Sequence, residues 1–339
     1  MKRVMVTGIG GAIGVHMLAH LMHNTDWEIV GIDSFNHKGY FDRITEVTKD
    51  HPDWLPRLKI IRHDLTAPFT TREVFSMGNI DYIINLASLS DVQASIDDPV
   101  PFIRNNTEIM LTMLEYARMI STNLKAFVQF STDEVYGPAK IDDGHPEWDT
   151  ILPSNPYSAS KAAQEAIAIA YWRSYGIPVI ITNTMNNFGE MQAPSKFPAM
   201  IQTKIEKAQG INVHTAADGQ IGTRYYLHSR NAADAVLFIL NRRKPKLHQP
   251  GHIDKPDRYN IVGNKQVSNL QLVDVIAFLM DKKAYVQEVN FHDSNPGHDL
   301  HYGLNGDKLE EMGWSAPVSF EDSLENTIKW QQQHPEWLR

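Results

Sequence analysis

The sequence predicts an α/β protein in which a doubly wound parallel sheet is joined to a smaller C-terminal lobe. Two observations support this fold class. Short apolar runs alternate with helical stretches through the first half of the chain, which is typical of βαβ units. After Asn183 this alternation ends, and residues 184–225 are richer in loop residues.

The composition excludes several classes of partner and chemistry. The chain has 339 residues, of which 42% are hydrophobic, and its net charge is −8. This acidic balance argues against nucleic acid or an anionic membrane surface as a partner. The chain has no cysteine, which excludes disulfides and thiol catalysis and fits a reducing compartment such as the cytoplasm. No apolar run approaches the length that spans a membrane.

The first strand, Val4–Thr7, is followed by a glycine-rich turn and a helix that continues through Met22. Gly8, Gly11 and Gly14 have the spacing of a dinucleotide-binding turn, in which backbone N–H groups approach a pyrophosphate at a helix N-terminus. The alternative interpretation is an ordinary strand-to-helix turn, since a glycine pattern by itself is weak.

The second strand, Trp27–Ile32, ends at Asp33 and weakens that alternative. An acidic residue at this point accepts hydrogen bonds from the adenosine ribose and repels a 2′-phosphate. No arginine directly follows Asp33, so the sequence favours NAD over NADP. A third strand ends near Asp64, which either contacts the adenine amino group or caps a turn.

The remaining elements complete a Rossmann-type sheet. Strands are predicted at residues 57–61, 80–86, 125–130 and 177–181, and helices at 99–119 and 157–175. Later segments are a helix at 230–243, an exposed connection at 244–257, a strand at 259–262, a helix at 268–280, a strand at 285–291 and a helix at 320–332. We therefore predict an NAD-binding domain at 1–183 plus about 226–258, and a substrate lobe at 184–225 and about 259–339.

Reactive side chains follow the fifth strand and open the next helix. Thr132, Asp133 and Glu134 lie where an open α/β sheet places reacting groups. Tyr157 and Lys161 are four residues apart, so they share one helix face. A tyrosine pKa of about 10 would be lowered by a lysine ammonium and a nicotinamide cation, which would make the phenolate a base for an alcohol. The alternative is that the pair only occupies a helix surface.

The two adjacent carboxyl groups indicate a second step. Oxidation of an alcohol alone does not require two carboxyl groups such as Asp133 and Glu134. Once the alcohol has become a ketone, however, the C–H bond next to the carbonyl becomes acidic. One carboxylate then takes that proton, and the other, protonated by its neighbour's charge, gives a proton to a departing hydroxyl. The alternative is a pair of exposed turn acids.

Three segments, Thr7–Gly14, Ser131–Gly137 and Tyr157–Lys161, together resemble the extended short-chain dehydrogenase/reductase family and, more narrowly, its dTDP-glucose 4,6-dehydratases. The resemblance runs nearly end to end. The segments that follow in the family's order are Thr182-Asn183, Asn186–Gly189, Arg224, Tyr259–Ile261, Asn264, Pro296–Asp299 and Gly313-Trp314.

The resemblance implies a reaction cycle. Tyr157 deprotonates the sugar 4-hydroxyl while NAD takes the C4 hydride, and Lys161 holds the nicotinamide ribose. Glu134 removes the C5 proton, Asp133 protonates the leaving 6-hydroxyl, and hydride returns to C6. The product is a 4-keto-6-deoxy sugar, and Thr132 binds the reacting oxygen.

The resemblance also implies two sets of contacts. The predicted cofactor contacts are Gly8, Gly11, Ala12, Ile13, Gly14, Asp33, Ser34, Phe35, Asn36, Asp64, Leu65, Leu86, Ala87, Ser88, Asn105, Tyr157, Lys161 and Asn187. The predicted contacts to the nucleotide-diphosphate sugar are Ser90, Thr132, Asn186, Lys196, Phe197, Arg224, Asn264 and His298.

The departures from the family pattern concern the substrate. Leu89, Asp91 and Ala94 stand where Glu, His and Arg are usual, residues 215–217 lack an aromatic residue, and Asn295 and Leu300 replace arginines. Because these positions have fewer cations and lack an aromatic residue, the sequence leaves open which nucleotide base and which sugar the substrate contains.

Two other features carry weaker predictions. His16, His20 and His23 recur at helical spacing, but we predict a structural role and no metal, because the sequence shows no carboxylate or cysteine beside them. Small apolar residues follow Lys161 on its helix. Burial within the chain explains them, whereas the resemblance suggests a homodimer on that face.

Two alternative functions remain. One is a UDP-sugar 4-epimerase or decarboxylase of the same family, which Asp133 disfavours because neither reaction needs an acid at C6. The other is a non-catalytic NAD-binding sensor or scaffold, which does not need Tyr157, Lys161 and Glu134.

Overall fold

The structure is a computed structural model that describes residues 1–37, 40–140, 143–290 and 297–338. The strands, in chain order, are β1 Arg3–Thr7, β2 Glu28–Asp33, β3 Leu58–Arg62, β4 Tyr82–Asn85, β5 Ala126–Thr132, β6 Val179–Thr184, β7 Asn186–Phe188, β8 Gly210–Thr215, β9 Thr223–His228, β10 Asp257–Ile261, β11 Gln266–Ser268 and β12 Tyr285–Asn290.

The α-helices are α1 Ala12–Asn24, α2 Tyr40–Thr48, α3 Thr71–Met77, α4 Val92–Asp97, α5 Pro99–Met119, α6 Pro156–Tyr175, α7 Phe197–Glu206, α8 Ser229–Arg242, α9 Asn269–Leu279, α10 Asp307–Glu311 and α11 Phe320–Gln333. Short 3₁₀ helices span Pro52–Arg57, Asp133–Val135 and Pro335–Leu338.

Within these residues, a seven-stranded parallel sheet has the order β10-β6-β5-β4-β1-β2-β3. The strand order reverses between β1 and β4, and ligands bind at such a point in doubly wound sheets. The predicted α/β class with a Rossmann-type sheet is therefore confirmed.

The sheet is buried on both faces, which explains its nearly continuous apolar strands. Along β1, Val4 and Val6 pack into one hydrophobic cluster, whereas Met5 points into the cluster on the opposite face. Both faces of the sheet are thereby covered by apolar side chains. The polar residues at the carboxyl ends of the strands lie outside these two clusters and can contact a ligand.

The smaller lobe contains more regular structure than the sequence indicated. The stretch predicted to be loop-rich, 184–225, contains β7, α7, β8 and the start of β9. Helices α7, α9 and α11 pack a separate core against β8 and β9, with Ile201, Ile211 and Ile276 fully buried. Strand β8 alternates exposed and buried residues over only six positions. This period-2 pattern is too short to stand out among the polar residues around it.

Strands β5, β6 and β10 differ from the prediction in ways that affect the site and the boundary of the lobe. β5 and β6 extend to Thr132 and Thr184, because polar residues there are buried and paired in the sheet. β10 joins the large sheet beside β6, which moves the second boundary of the predicted lobe past Ile261. The predicted division into domains otherwise stays a prediction. Phe291, the end of one predicted strand, lies outside the described residues, as do Asn295 and Pro296.

A buried ion pair joins β10 to α6. Arg258 donates to Glu165 at 2.5 Å and to the Tyr136 hydroxyl at 2.9 Å, and both Arg258 and Glu165 are fully buried. The second Glu165 oxygen accepts from Asn183, which also donates to the Thr132 carbonyl at 3.0 Å. This network connects α6 to the end of β5.

In the part of the chain that the structure describes, every helix is too short or too polar to cross a membrane.

Candidate active site

The glycine turn forms a tight cradle between β1 and α1. Gly8 has φ +66°, and a Cβ there would lie 3.1 Å from the Ala87 backbone at the end of β4. A Cβ on Gly14 would lie 2.1 Å from the Gly8 carbonyl oxygen. Side chains are therefore excluded at both positions, and the backbone of the turn stays open to a ligand at the helix N-terminus.

Asp33 ends β2 beside this cradle. One carboxylate oxygen accepts from Gly10 N at 3.0 Å and the other from Phe35 N at 2.9 Å. Burial raises the pKa of Asp33, and these two backbone hydrogen bonds oppose the rise. The position at the carboxyl end of β2 agrees with the predicted ribose contact.

A cleft of about 470 Å³ runs from this cradle to the ends of β5 and β6. All five predicted catalytic residues line it, namely Thr132, Asp133, Glu134, Tyr157 and Lys161. The other predicted residues that line it are Gly8, Gly11, Ala12, Ile13, Gly14, Asp33, Ser34, Asn36, Asp64, Leu65, Leu86, Ala87, Ser88, Ser90, Asn105, Asn186, Asn187 and Lys196. Residues from widely separated segments therefore meet in one cleft of the size that holds small-molecule ligands.

Five predicted contact residues lie outside the lining of this cleft: Phe35, Phe197, Arg224, Asn264 and His298. Arg224 donates to the Leu300 and Asp299 carbonyls at 2.7 and 2.8 Å and lies over the Tyr302 ring. Its guanidinium thus holds the 299–302 segment. The predicted roles of these five residues in binding remain predictions.

Several cleft residues were missed. Arg43 on α2 is buried and donates to the Gly10 carbonyl at 3.1 Å and to the Met191 carbonyl at 2.9 Å. His37, His63 and Gln192 also line the cleft. None of these residues belongs to a glycine or Tyr/Lys motif, so no local pattern in the sequence marks them as site residues.

Unpaired polar atoms lie in the cleft. Among the described residues, Asp133 Oδ2, Asn186 Oδ1, Asn187 Oδ1 and the Ser131 hydroxyl are buried without a hydrogen-bond partner. Buried polar atoms are normally paired, so these atoms fit a polar ligand such as a ribose or a sugar. Together with the glycine cradle and Asp33, the lining fits a dinucleotide.

The catalytic turn begins at the last residue of β5. The Thr132 hydroxyl donates to Asp133 Oδ1 at 2.9 Å, and Glu134 N donates to the same oxygen at 3.1 Å. Burial and the charge of Glu134 nevertheless raise the pKa of Asp133 to about 7. Asp133 is therefore suited to give up a proton near neutral pH.

Glu134 is half-buried and lies on the other side of the turn. Its Oε2 accepts from Asn155 Nδ2 at 3.1 Å. Burial raises the pKa of Glu134, whereas the hydrogen bond from Asn155 and the charge of Arg224 lower it. The two neighbouring carboxyl groups thus have different partners, as an acid and a base require.

Tyr157 and Lys161 are buried on the first turns of α6. Burial and the charges of Glu134 and Asp133 raise the pKa of Tyr157, and a Thr132 hydrogen bond opposes the rise. Lys161 donates to the Phe130 carbonyl and to Gln164 Oε1, both at 2.8 Å, and burial lowers its pKa to about 8. The lowering of the Tyr157 pKa by Lys161 together with a nicotinamide cation stays a prediction.

One of the three N-terminal histidines lies in a buried cluster. His16, Glu190 and His228 bring their ring and carboxylate atoms within 4.8 Å of one another. The sequence could not show this carboxylate, because the His16 and Glu190 contact spans 174 residues. His228 Nδ1 accepts from Arg230 N at 3.1 Å, so its Nε2 carries the proton that Glu190 accepts. Hydrogen bonds account for the cluster, and the absence of a metal stays a prediction.

A Rossmann-type sheet whose nucleotide cleft contains a Tyr157/Lys161 pair defines an extended short-chain dehydrogenase/reductase. Within that class, the chain belongs to the family described as GDP-mannose 4,6 dehydratase, whose sequence model matches residues 5–327.

Two sequence relatives and one solved structure are similar to this chain and are named as 4,6-dehydratases. A probable dTDP-glucose 4,6-dehydratase of Sinorhizobium fredii is 31% identical, over 99% of this chain and 94% of the relative. A trifunctional UDP-glucose 4,6-dehydratase of Arabidopsis thaliana is 30% identical, over 99% of this chain and 48% of the relative. The crystal structure of the dTDP-glucose 4,6-dehydratase DesIV from Streptomyces venezuelae, with NAD bound, has a TM-score of 0.86 and 27% identity. It aligns over 99% of this chain and 98% of that one.

Proposed function

We propose that this protein binds NAD and removes water from the glucose unit of a nucleotide-diphosphate sugar. The observation that carries the proposal is the presence in one cleft of an alcohol base, Tyr157, beside two carboxyl groups in different environments. An enzyme that only moves a hydride does not need Asp133 with a pKa of about 7. The reaction class is that of a hydro-lyase.

The glycine cradle and Asp33 would hold the pyrophosphate and the adenosine ribose of NAD, and Lys161 and Asn187 line its far end. When bound, NAD supplies an acceptor for the C4 hydride, a positive charge in the cleft and the hydride that returns to C6. The buried carboxylate of Asp33 favours NAD over NADP, because a 2′-phosphate would be repelled.

The chain's own residues move three protons. Tyr157 takes the proton of the 4-hydroxyl as C4 becomes a ketone. Glu134 takes the proton from C5, and the C–H electron pair forms the C5–C6 double bond as the C6–O bond breaks. Asp133 gives its proton to the departing hydroxyl, which leaves as water. After hydride return to C6, Glu134 gives a proton back to C5, and the product is a 4-keto-6-deoxy sugar.

The substrate that we propose first is dTDP-glucose, because this chain and the Sinorhizobium relative align over nearly the full length of both. The Arabidopsis relative carries a UDP-glucose description at similar identity, so UDP-glucose is the second candidate. The chemistry itself requires a hexose with free 4- and 6-hydroxyl groups, so the assay varies both the base and the sugar.

The test is incubation of the purified, NAD-loaded chain with dTDP-glucose, UDP-glucose and GDP-mannose, followed by proton NMR. We expect a new C6 methyl doublet and a 4-keto product with one of them, and no methyl signal from D133N or E134Q. Inversion at C4 would indicate an epimerase. Release of CO₂ from UDP-glucuronic acid, tested in a parallel incubation, would indicate a decarboxylase. Binding of NAD without turnover of any sugar would indicate a non-catalytic protein.

We also propose that the enzyme is a homodimer and acts in the cytoplasm. The outer face of α5, which packs beside α6, exposes the apolar residues Val100, Ile103, Leu111 and Met119. A second copy of the same face would cover them.

The proposed location in the cytoplasm rests on composition, because a chain without cysteine is compatible with a reducing compartment.

A further inference from the structure

Asn155 lies between the catalytic helix and the base. It is the N-cap of α6, and only 5% of its surface is exposed. Its Oδ1 accepts from Ser158 N at 2.9 Å, and the Ser158 hydroxyl accepts from Asn155 N at 3.2 Å. These bonds form a capping box, which accounts for the residue as a helix start.

The amide nitrogen of Asn155 makes two contacts that a cap does not need. Nδ2 donates to Glu134 Oε2 and to the Gly297 carbonyl, each at 3.1 Å. Ser158 N can only donate and the Gly297 carbonyl can only accept, so the orientation of the amide is fixed by its partners. The oxygen of the Asn155 amide therefore faces the Ser158 donor, and its nitrogen faces the two acceptors, Glu134 and the Gly297 carbonyl.

The segment on the other side of Asn155 is closely fitted. Gly297 has φ +106°, and a Cβ there would lie 3.2 Å from the Ser154 carbonyl oxygen. The Ser154 hydroxyl donates to Asp299 Oδ1 at 2.8 Å. Residues 297–299 thus hold the amide from the lobe side, and its Glu134 contact is directed toward the cleft.

We propose that Asn155 is a positioning residue that orients the Glu134 carboxylate for removal of the C5 proton. The proposal rests on the dehydratase function given above. It assigns Asn155 to the elimination and not to the oxidation at C4, because Asn155 makes no described hydrogen bond to the side chains of Tyr157 or Lys161. A hydrogen bond from a neutral amide favours the ionised form of a carboxyl group, which a base requires.

Two variants separate this role from helix capping. Ser and Asp are good N-caps, so N155S and N155D both keep the acceptor for Ser158 N. Serine lacks the amide donor, and aspartate replaces the donor by a negative charge beside Glu134. S319A, which removes the side-chain cap of α11, is the matched control for a lost cap elsewhere in the chain.

The experiment follows a single turnover of the NAD-loaded chain with the nucleotide-glucose that it dehydrates, in heavy water. Absorbance of the reduced nicotinamide reports the oxidation at C4, and proton NMR reports deuterium at C5 and the C6 methyl group. For N155S we expect C5 exchange and methyl formation to slow about 10- to 100-fold, the range for a lost hydrogen bond to a charged group. Oxidation at C4 should continue, so reduced nicotinamide accumulates.

The pH profile gives a second readout. The charged and titratable groups that face Glu134 are Asp133, Tyr157, Lys196, Arg224, Asp299 and Tyr302. None of them is changed in the variants. Without the amide donor the pKa of Glu134 rises, so the acid limb of the elimination rate moves to higher pH in N155S. It should move further in N155D, because a like charge disfavours the anion.

Three results would overturn the inference. One is N155S that eliminates water as fast as the wild type. Another is a variant in which C4 oxidation and C5 exchange slow by the same factor, which is the effect of a damaged helix start. The third is a wild type that leaves every sugar nucleotide intact, which overturns the proposed function and removes the basis of this inference. S319A should match the wild type in both steps.

Discussion

At the scale of single residues, the site depends on how differently two adjacent carboxyl groups are held. Asp133 is 4% exposed and shares one oxygen between the Thr132 hydroxyl and a backbone N–H. Glu134 is half-buried and accepts from Asn155. Burial and a like charge keep the first protonated to higher pH, which makes one residue a proton donor and leaves the other as the acceptor.

The pH dependence of the elimination step follows from Asp133. A general acid works in its protonated form, and the raised pKa of about 7 means that this form is lost as pH rises through about 7. We expect the rate of methyl formation in a single turnover to fall on the alkaline side of that value. Rates measured across a pH series, with C4 oxidation recorded in parallel, check this. An elimination rate that rises through neutral pH would contradict the assignment.

Sequence reasoning found residues whose neighbours in the chain are also their neighbours in the site. Asp133 and Glu134 are adjacent, and Tyr157 and Lys161 are one helical turn apart. Arg43 and Asn155 were missed as site residues because their partners are far away in the chain. The Arg43 contact to Met191 spans 148 residues, and the Asn155 contact to Gly297 spans 142. Such contacts depend on the completed fold and not on local spacing.

At the scale of secondary structure, α6 is held in place by charge as well as by packing. Glu165 lies one turn after Lys161 and is bound by Arg258 from the edge strand β10 and by Asn183 from β6. Asn183 also binds the carbonyl of Thr132, the last residue of β5. One buried network therefore links the helix that carries the alcohol base to the turn that carries both acids.

Removal of one partner from this network should be costly. R258M leaves the Glu165 carboxylate buried and unpaired, and we expect the free energy of unfolding to fall by about 3–5 kcal/mol. The double variant E165L/R258M should recover much of this loss, since neither charge of the pair is left buried without the other. Urea unfolding measures all three proteins.

A surface ion pair provides the control for that comparison. Lys329 pairs with Glu325 on the exposed side of α11. K329M should change the free energy of unfolding by less than about 1 kcal/mol, the usual range for such pairs. If R258M were no more destabilising than K329M, the buried network would not hold α6.

Long elements were predictable and short ones were not. Helix α5 has the predicted bounds, and α6 begins one residue earlier than predicted. Helices α2, α3, α4, α7 and α10 were not predicted, because they have ten residues or fewer and their apolar residues give too few turns of periodicity. Strand β7 has three residues and takes its place from β9, so tertiary contacts decide its conformation.

At the scale of the whole molecule, the cleft lies where the large sheet meets the smaller lobe. The strand order reverses between β1 and β4 beside the glycine cradle, and residues after β6 and before α7 complete the lining. The large sheet was predictable from its alternating pattern. The lobe was less so, because its strands are short, mixed in direction and polar on one side.

The proposed homodimer can be tested on the exposed face of α5. Leu111 is 44% exposed in the middle of that face, and L111K would place a charge inside the interface. We expect sedimentation to show a dimer for the wild type and a monomer for L111K. Phe75 on α3 is 89% exposed and lies on another helix, so F75K is the matched control and should remain dimeric. A dimeric L111K would exclude this face.

The unpaired oxygen of Asp133 has a consequence for the history of the chain. Among the described residues, Asp133 Oδ2 has no hydrogen-bond partner although it is buried, and such an atom lowers the stability of a folded protein. Most substitutions that relieve a liability of this kind are accepted once activity no longer matters. A descendant that had lost its reaction would keep the glycine cradle, which the sheet itself requires, but would soon exchange this aspartate. An aspartate at position 133 therefore distinguishes active from inactive relatives better than the nucleotide-binding turn does.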